Sequence, residues 1–588
     1  MYLLTFTFLI GFIYALQIPV NFQKVDLQLD GFVGAKIEYT PSNNRCTLLE
    51  KYPVQNMRTL NFDNQYEVYR KKLDQDKYKS VTEKEVIEIN ALNEKSFFQA
   101  LYSVCKFGLD IEDDEFFVQN FNNFVDDEEV LKIIDSGASE NRVDVVFMGD
   151  GYTSAEKSKF FDDIKRLTKD MWTGVTFRSV KPLMNVWAVF KPSVESGIGV
   201  SGKPKNTPFG LYRDGTELRG IYCSKPQQAR RSCKVTGSYA CDFPSLIAND
   251  DYYGGLGGEF TISTKSILSG TIVLRHELGH NFISVGEEYD GGDVYSGVNA
   301  APTSTLNNLK WKHWLSEPNN VKEEKEVLLL QAYPWYDLAK GEIALQFKSE
   351  GVLKRWMLQI SASGVESKGS LVVTLDGKEL PWTPRGDFDR EFYRWEGNEG
   401  FSSGSHSLII KQGFPAVEGS PIRQLCNVEI HEFADEPLFH LNNTFVGAYP
   451  TFNSRKQKTY RPTNEACLMR NMKSTSFCPI CQEGLWLNFL NRVNLIDEVK
   501  VECKDNEGVI KSRFVPLGHL RPENEQIDGE ELSIKWFHNG VEELHLHNLN
   551  EFKSKNGDWE VEVKFKSLEI RKDEKNLTFD KKSFKVEC

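Results

Sequence analysis

Two histidines four residues apart, His276 and His280, with an acid directly after the first, Glu277, constrain this chain more tightly than any bulk property. Residues i and i+4 share one face of a helix, so the spacing brings two imidazoles together as a tetrahedral metal site requires. Glu277 lies about 100° further round that helix, where it reaches a water beside a metal but not the metal itself. Leu274, Leu278 and Phe282 recur every fourth residue about 200° away from the histidines, which gives the helix an apolar back to bury. Gly279, lacking a side chain, is expected to let a neighbouring strand approach closely. In a chain of 588 residues with 10 histidines, a chance His-Glu-x-x-His is on the order of one in a hundred. The alternative is a pair of structural histidines on an amphipathic helix, and the helical context favours zinc.

Around this element the texture of the chain changes several times. The apolar run Val143, Val145, Val146, Phe147, Met148 predicts a buried strand broken by Gly149-Asp150-Gly151, then a helix from Thr153 or Ser154 with Glu156 as its capping acid. A second strand is expected over Val186–Phe190, so strand, helix and strand point to an α/β layer. Gly149-Asp150-Gly151 lacks the third glycine of a dinucleotide fingerprint. From 321 to 429 the helical period gives way to alternation at Ile343, Leu345 and Phe347, a β-branched run at Leu371–Leu375 and a hairpin signal at Asp376-Gly377, which predicts an inserted β-sandwich. Helix signals return over Cys478–Val493. Leu532, Ile534 and Trp536, then Trp559, Val561, Val563 and Phe565, with a turn at Asn539-Gly540, predict a terminal β-sandwich. The expected organisation is a leader (1–16), a β-rich domain (17–135), an α/β domain in two parts (136–320 and 430–505), the inserted sandwich (321–429) and a C-terminal sandwich (506–588).

Composition narrows the compartment and the partners. Lys and Arg number 71 against 84 Asp and Glu, a net charge of −13, which argues against nucleic acid or an anionic membrane as the general partner. The apolar stretch from Tyr2 to Leu16 is short for a membrane span and reads as a secretory leader, although it carries no Lys or Arg before it. The 11 cysteines fit an oxidising, extracellular or cell-surface setting and are expected to form mostly disulfides, with at least one left over. Cys478-Pro479-Ile480-Cys481 has the spacing of one half of a zinc knuckle or of a redox pair, but no second Cys-x-x-Cys accompanies it, so disulfides are the expected state there. The same holds for Cys223, Cys233 and Cys241. Asn442-Asn443-Thr444 and Asn576-Leu577-Thr578 are glycosylation sequons.

HELGHNF followed by GEEY is similar to the HExGHxxxxLxDEY signature of the IgA peptidase family of zinc metalloendopeptidases. VDVVFMGDGYTSAEKSKFFDDIKRL resembles that family's strand–GDGYT–helix segment. NDDYYGGLGG resembles its glycine-rich stretch before the zinc helix, and NEACLMRNMKSTSFCPICQEGLW its closing Cys-Met and Cys-x-x-Cys stretch. The β insertion and the GEEYDGG wording look more like eukaryotic, fungal-type members. Glu287 and Val285 depart from the signature's Asp and Leu. The resemblance implies a metzincin-like α/β zinc peptidase domain within a multidomain α+β chain, with flanking and inserted β-sandwiches. It also gives Met469 the place of a methionine turn beneath the metal; without it, Met469 is as readily a core methionine.

The expected ligands are His276, His280 and one of Glu287 and Glu288, holding a single catalytic Zn2+. Glu287 is favoured because it is the first carboxylate after Gly286, where a positive φ is expected to turn the chain back. In an extended segment the two carboxylates point to opposite sides, so one of them faces the metal. Tyr252, Tyr253, Gly254, Gly255, Gly257 and Gly258 read either as a glycine-rich edge that takes an extended peptide or as a surface loop. His313, between Trp311 and Trp314, is expected to be a packed histidine. The activity expected is a secreted endopeptidase acting on protein substrates with Glu277 as general base. A zinc aminopeptidase, or a non-catalytic extracellular binding protein with a structural zinc, are the alternatives.

Overall fold

The computed structural model describes residues 128–588 apart from 215–219, 238, 293–294 and 505–506. Before them it describes the backbone of four strands, at 32–40, 45–54, 66–72 and 85–91. The leader at 1–16 lies outside the described residues. Phe32–Thr40, Arg45–Val54, Tyr66–Lys72 and Glu85–Ala91 form one antiparallel sheet in the order second, first, fourth, third. They belong to a unit that ends at Asp127, and a second unit runs from Glu128 to Cys588.

In the second unit a six-stranded sheet has the order Gly255–Leu256, Thr261–Thr264, Phe243–Ala248, Val143–Asp150, Met184–Phe190, Glu129–Ile134. The four inner strands are parallel and the two edge strands antiparallel. All eight residues of Val143–Asp150 are buried, because a parallel strand is covered on both faces. Its alternate side chains feed two cores. Val143, Val145 and Phe147 pack with helix α1 (Lys157–Met171) through Phe160, Ile164 and Leu167. Val146 and Met148 pack on the other side with Phe209, Ile221 and Ala229, the last on helix α2 (Pro226–Lys234). The capping box of Thr153 and Glu156 opens the helical segment, as expected. The Gly-Asp-Gly turn before it is structural. The buried Asp150 carboxylate accepts from Thr207 Oγ1 (2.8 Å) and from the backbone N–H groups of Phe209 (2.8 Å) and Leu211 (2.7 Å).

Between Glu326 and Phe433 the chain leaves this layer and makes two further sheets that enclose Leu358, Ile360, Leu371, Val373, Leu408 and Ile430. Asp376 (φ 49°) and Gly377 (φ 78°) turn the hairpin between Leu371–Leu375 and Lys378–Glu379. The insertion is fastened to the α/β layer through buried charge. His431, on the fully buried strand Gln424–Phe433, lies between Asp290 (3.3 Å) and Glu326 (2.8 Å), and Arg470 pairs with the same Asp290. Burial pulls the His431 imidazole down, but the two carboxylates outweigh it and push its pKa up to about 10.

Helix α3 (Gly270–Phe282), before the insertion, and helix α4 (Pro479–Leu490), after it, meet across Phe282 and Phe489 (ring centroids 5.2 Å). The C-terminal strands form a three-stranded and a four-stranded sheet around Ile510, Ile534, Trp536, Val561 and Val563, closed by a Cys503–Cys588 disulfide. Three expected boundaries move. The α/β sheet already includes Glu129–Ile134, the insertion runs on to Phe433, and the C-terminal module starts with Ile496–Lys504. Glu129–Ile134 is an edge strand on Met184–Phe190, and Gln424–Phe433 lies between Glu326–Ala332 and Arg355–Ser363, pairings with sequence-distant neighbours that local composition does not reveal, whereas Ile496–Lys504 forms a hairpin with Glu507–Phe514.

Gly151 carries the sharpest local constraint. Its φ is +81°, and a Cβ there would fall inside contact distance of the Gly197 carbonyl oxygen. Gly151→Ala is therefore expected to destabilise the fold by at least about 1–2 kcal/mol. Denaturant unfolding checks this, and an unchanged midpoint would contradict it.

Candidate metal centre

Helix α3 is built to be held from behind. Leu274, Leu278 and Phe282 are fully buried, and Phe282 meets Phe177 (5.1 Å) and Phe243 (4.8 Å) edge to face. Gly279 does permit a close approach, though of side chains rather than a strand. A Cβ there would lie 3.1 Å from the Phe477 ring and 3.2 Å from Met469 Sδ. Met469, itself fully buried, thus packs against the helix at Gly279.

The two imidazoles are oriented by backbone carbonyls. His276 Nδ1 lies 3.2 Å from the Leu468 oxygen and His280 Nδ1 3.3 Å from that of Val285. With Nδ1–H donating to these carbonyls, both Nε2 atoms turn to one point, where Glu287 meets them at 3.3 Å and 3.1 Å. The three donor groups lie within 4.8 Å of one another. Glu287 Oε2 is buried and makes no hydrogen bond, with His276 Nε2 at 3.3 Å as its ionic partner. Burial pulls the His276 pKa down, but Glu287 outweighs it and pushes it up to about 9. Despite its burial, Glu287 is held far below the usual carboxylate range by the same imidazoles. Two nitrogens and a carboxylate form a donor set that suits a divalent cation such as zinc.

Glu287 reaches this point by a route that differs from expectation. Helix α3 ends at Phe282, and Ile283 is already extended (φ −129°, ψ 142°). Gly286 makes no left-handed turn; the nearby glycines with positive φ are Gly291 and Gly297. The turn is set at the helix end instead, and Asn299 clamps Gly286 through its N–H (2.8 Å) and its carbonyl (3.0 Å). The Glu288 N–H then donates to the Met469 carbonyl (3.0 Å). Glu288 points away from the histidines and accepts from Asn299 Nδ2 (2.8 Å).

Glu277 opens into a cleft of about 590 Å³. The edge strand Gly255–Leu256 passes beside it, and a Cβ on Gly257 would stand 2.6 Å from Glu277 Oε2. A Cβ on Gly255 would collide with Val273 and approach the Ile262 carbonyl. Of the expected tyrosine–glycine segment, Tyr253, Gly255, Gly257 and Gly258 line the cleft. Tyr252 instead donates its N–H to Asp250 (2.8 Å), and Gly254 packs against Arg213 and Ile221. The opposite wall was not foreseen: Tyr333, Gln359, Arg390, Phe392, Asn427 and Glu429 all come from the insertion. The Arg390 guanidinium bonds Ser361 Oγ (2.9 and 3.0 Å) and lies over the rings of Tyr253, Trp335 and Phe392. His313 is elsewhere, paired with Glu483 of α4 at 2.6 Å.

The cysteines meet expectation at Cys233–Cys241 and depart from it at Cys478 and Cys481. Among the described residues the disulfides are Cys233–Cys241 and Cys503–Cys588, and Cys223, Cys426, Cys467, Cys478 and Cys481 are thiols.

Residues 131–324 match the IgA Peptidase M64 family, and the resemblance read from the sequence is thereby shown. No curated protein matches the chain significantly.

Replacing Glu287 by Gln keeps the shape and removes the charge that faces both imidazoles. Glu287→Gln is expected to weaken divalent-metal binding at the histidine pair by at least about a hundredfold. Competition with a chromophoric chelator measures this. Unchanged affinity would remove Glu287 from the ligand set.

Proposed function

We propose that this IgA peptidase family member is a secreted zinc-dependent endopeptidase that cleaves protein substrates in the cleft between the α/β layer and the β insertion. One observation carries the reading: Glu277 faces the cleft beside an edge strand, on the same helix as two imidazoles aimed at a third, carboxylate ligand. His276, His280 and Glu287 would hold the ion, which when bound supplies a Lewis acid for the scissile carbonyl and acidifies water. Leu468 and Val285 keep the imidazoles in the Nε2-ligating orientation through their carbonyls.

Glu277 acts as the general base. It takes a proton from the attacking water and returns it to the amine as the peptide C–N bond breaks. The outer edge of Gly255–Leu256, paired on one side with Thr261–Thr264, supports binding of an extended substrate segment by strand addition. The bare glycines let that segment approach Glu277 closely. The insertion wall, with Arg390, Gln359 and Asn427, would contact substrate side chains. The two disulfides among the described residues fit an oxidising extracellular setting, and no helix among those residues is long and apolar enough to cross a membrane.

Glu277→Gln is expected to lower peptide hydrolysis by a factor of about 10³ or more while metal content is retained. Retained turnover with the metal in place would remove Glu277 as the base. Peptides with blocked and free N-termini, compared in the same assay, separate an endopeptidase from an aminopeptidase; the proposal requires cleavage of the blocked series.

A further inference from the structure

Directly beneath the histidine pair lies a second cluster, made of Glu288, Cys467, Cys478 and Cys481, all buried. Their ligating atoms lie within 4.8 Å of one another. Cys467 Sγ and Cys481 Sγ are 3.7 Å apart, and Cys481 Sγ is 3.8 Å from Glu288 Oε1. Sulfurs bound tetrahedrally to zinc at about 2.3 Å are about 3.8 Å apart, whereas a disulfide holds its sulfurs at about 2.05 Å. The spacing is therefore that of a coordination polyhedron with its ligands already in place. From these distances and this donor set, we propose that Cys467, Cys478, Cys481 and Glu288 form a closed structural zinc site, separate from the catalytic centre.

Three further observations support the assignment. Glu288 Oε2 is buried and has no hydrogen-bond partner, and an orphaned carboxylate oxygen among three thiols is costly without a cation. Three cysteines cannot all pair with one another, so any internal disulfide would leave a buried thiol beside that carboxylate. The surroundings also favour ligated sulfur. The Cys478 N–H donates to Cys467 Sγ (3.3 Å), Cys478 caps α4, and the positive end of that helix favours thiolate charge. Asn299 holds Glu288 by its other oxygen, in the manner of an outer partner that orients a metal ligand. Four protein ligands leave no open position, which distinguishes a structural zinc from a catalytic one.

The fourth ligand explains why the cysteine spacing alone pointed to disulfides. A lone Cys-x-x-Cys is completed here by Cys467 and by a glutamate from the segment after α3. The ion would staple together three segments: the stretch that presents Glu287, the loop that carries Leu468 and Met469, and the start of α4.

Metal counting on the full-length chain tests this without reference to peptidase activity, so its failure would leave the proposed function standing. Wild type is expected to hold about two zinc ions per chain, and His276→Ala/His280→Ala about one. Reconstituted with cobalt(II), that double variant should show strong thiolate-to-cobalt charge-transfer absorption. Adding Cys467→Ser and Cys481→Ser should abolish the band. If the cysteine variants fail to fold, the cobalt spectrum of the double-histidine variant decides alone. Loss of all metal from that variant, cobalt bound without thiolate absorption, or a disulfide joining two of the three cysteines by peptide mapping would each overturn the proposal.

Discussion

One segment without regular secondary structure, Val285–Tyr289, governs the whole centre. It follows α3 without a left-handed turn at Gly286, and the contacts that hold it include Asn299 on Gly286, the Val285 carbonyl on His280, the Met469 carbonyl on the Glu288 N–H and Arg470 on the Glu288 carbonyl. Glu287 is thereby delivered to the imidazoles and Glu288 to the cysteines. A one-residue slip would exchange the two carboxylates and disable both clusters, which accounts for the number of contacts that fix the register.

The loop that supplies Met469 serves both sides of this segment. Leu468 orients His276, Met469 fills the space opened by Gly279, and Cys467 faces Glu288. The insertion is tied to the same region through Asp290, which immediately follows Tyr289 and pairs with His431 and Arg470. Such a buried network contributes little net stability, but breaking one partner leaves an uncompensated charge. Its effect is to fix how the insertion wall stands across the cleft from Gly255–Gly258.

What could be read from the sequence follows the range of the interactions. The histidine pair and its apolar back are encoded within a few helical turns, and the Thr153–Glu156 box within four residues, so local spacing reveals them. Glu287 and Glu288 fall in different clusters, although the segment that carries them is not the strand the parity argument assumed. Met469 packs against Gly279 of the histidine helix, a contact that no local spacing reveals. The turn at Gly286 was misjudged because the helix is ended by packing at Phe282 and the chain is held by Asn299, neither of which glycine propensity reports. Arg390, Gln359 and Asn427 were invisible because a separate sandwich brings them to the cleft. The state of Cys467, Cys478 and Cys481 depends on Glu288, which is remote in sequence, so cysteine spacing could not distinguish thiols from disulfides.

Neighbouring glutamates, Glu287 and Glu288, face two different clusters. Anomalous diffraction at the zinc absorption edge, from crystals of the zinc-loaded full-length chain, tests that claim most directly. The expected result is a peak bounded by His276 Nε2, His280 Nε2 and the Glu287 carboxylate, with the Glu288 side chain turned away from it toward the cysteines. A peak between the histidines that is ligated by Glu288, or no peak there at all, would contradict it.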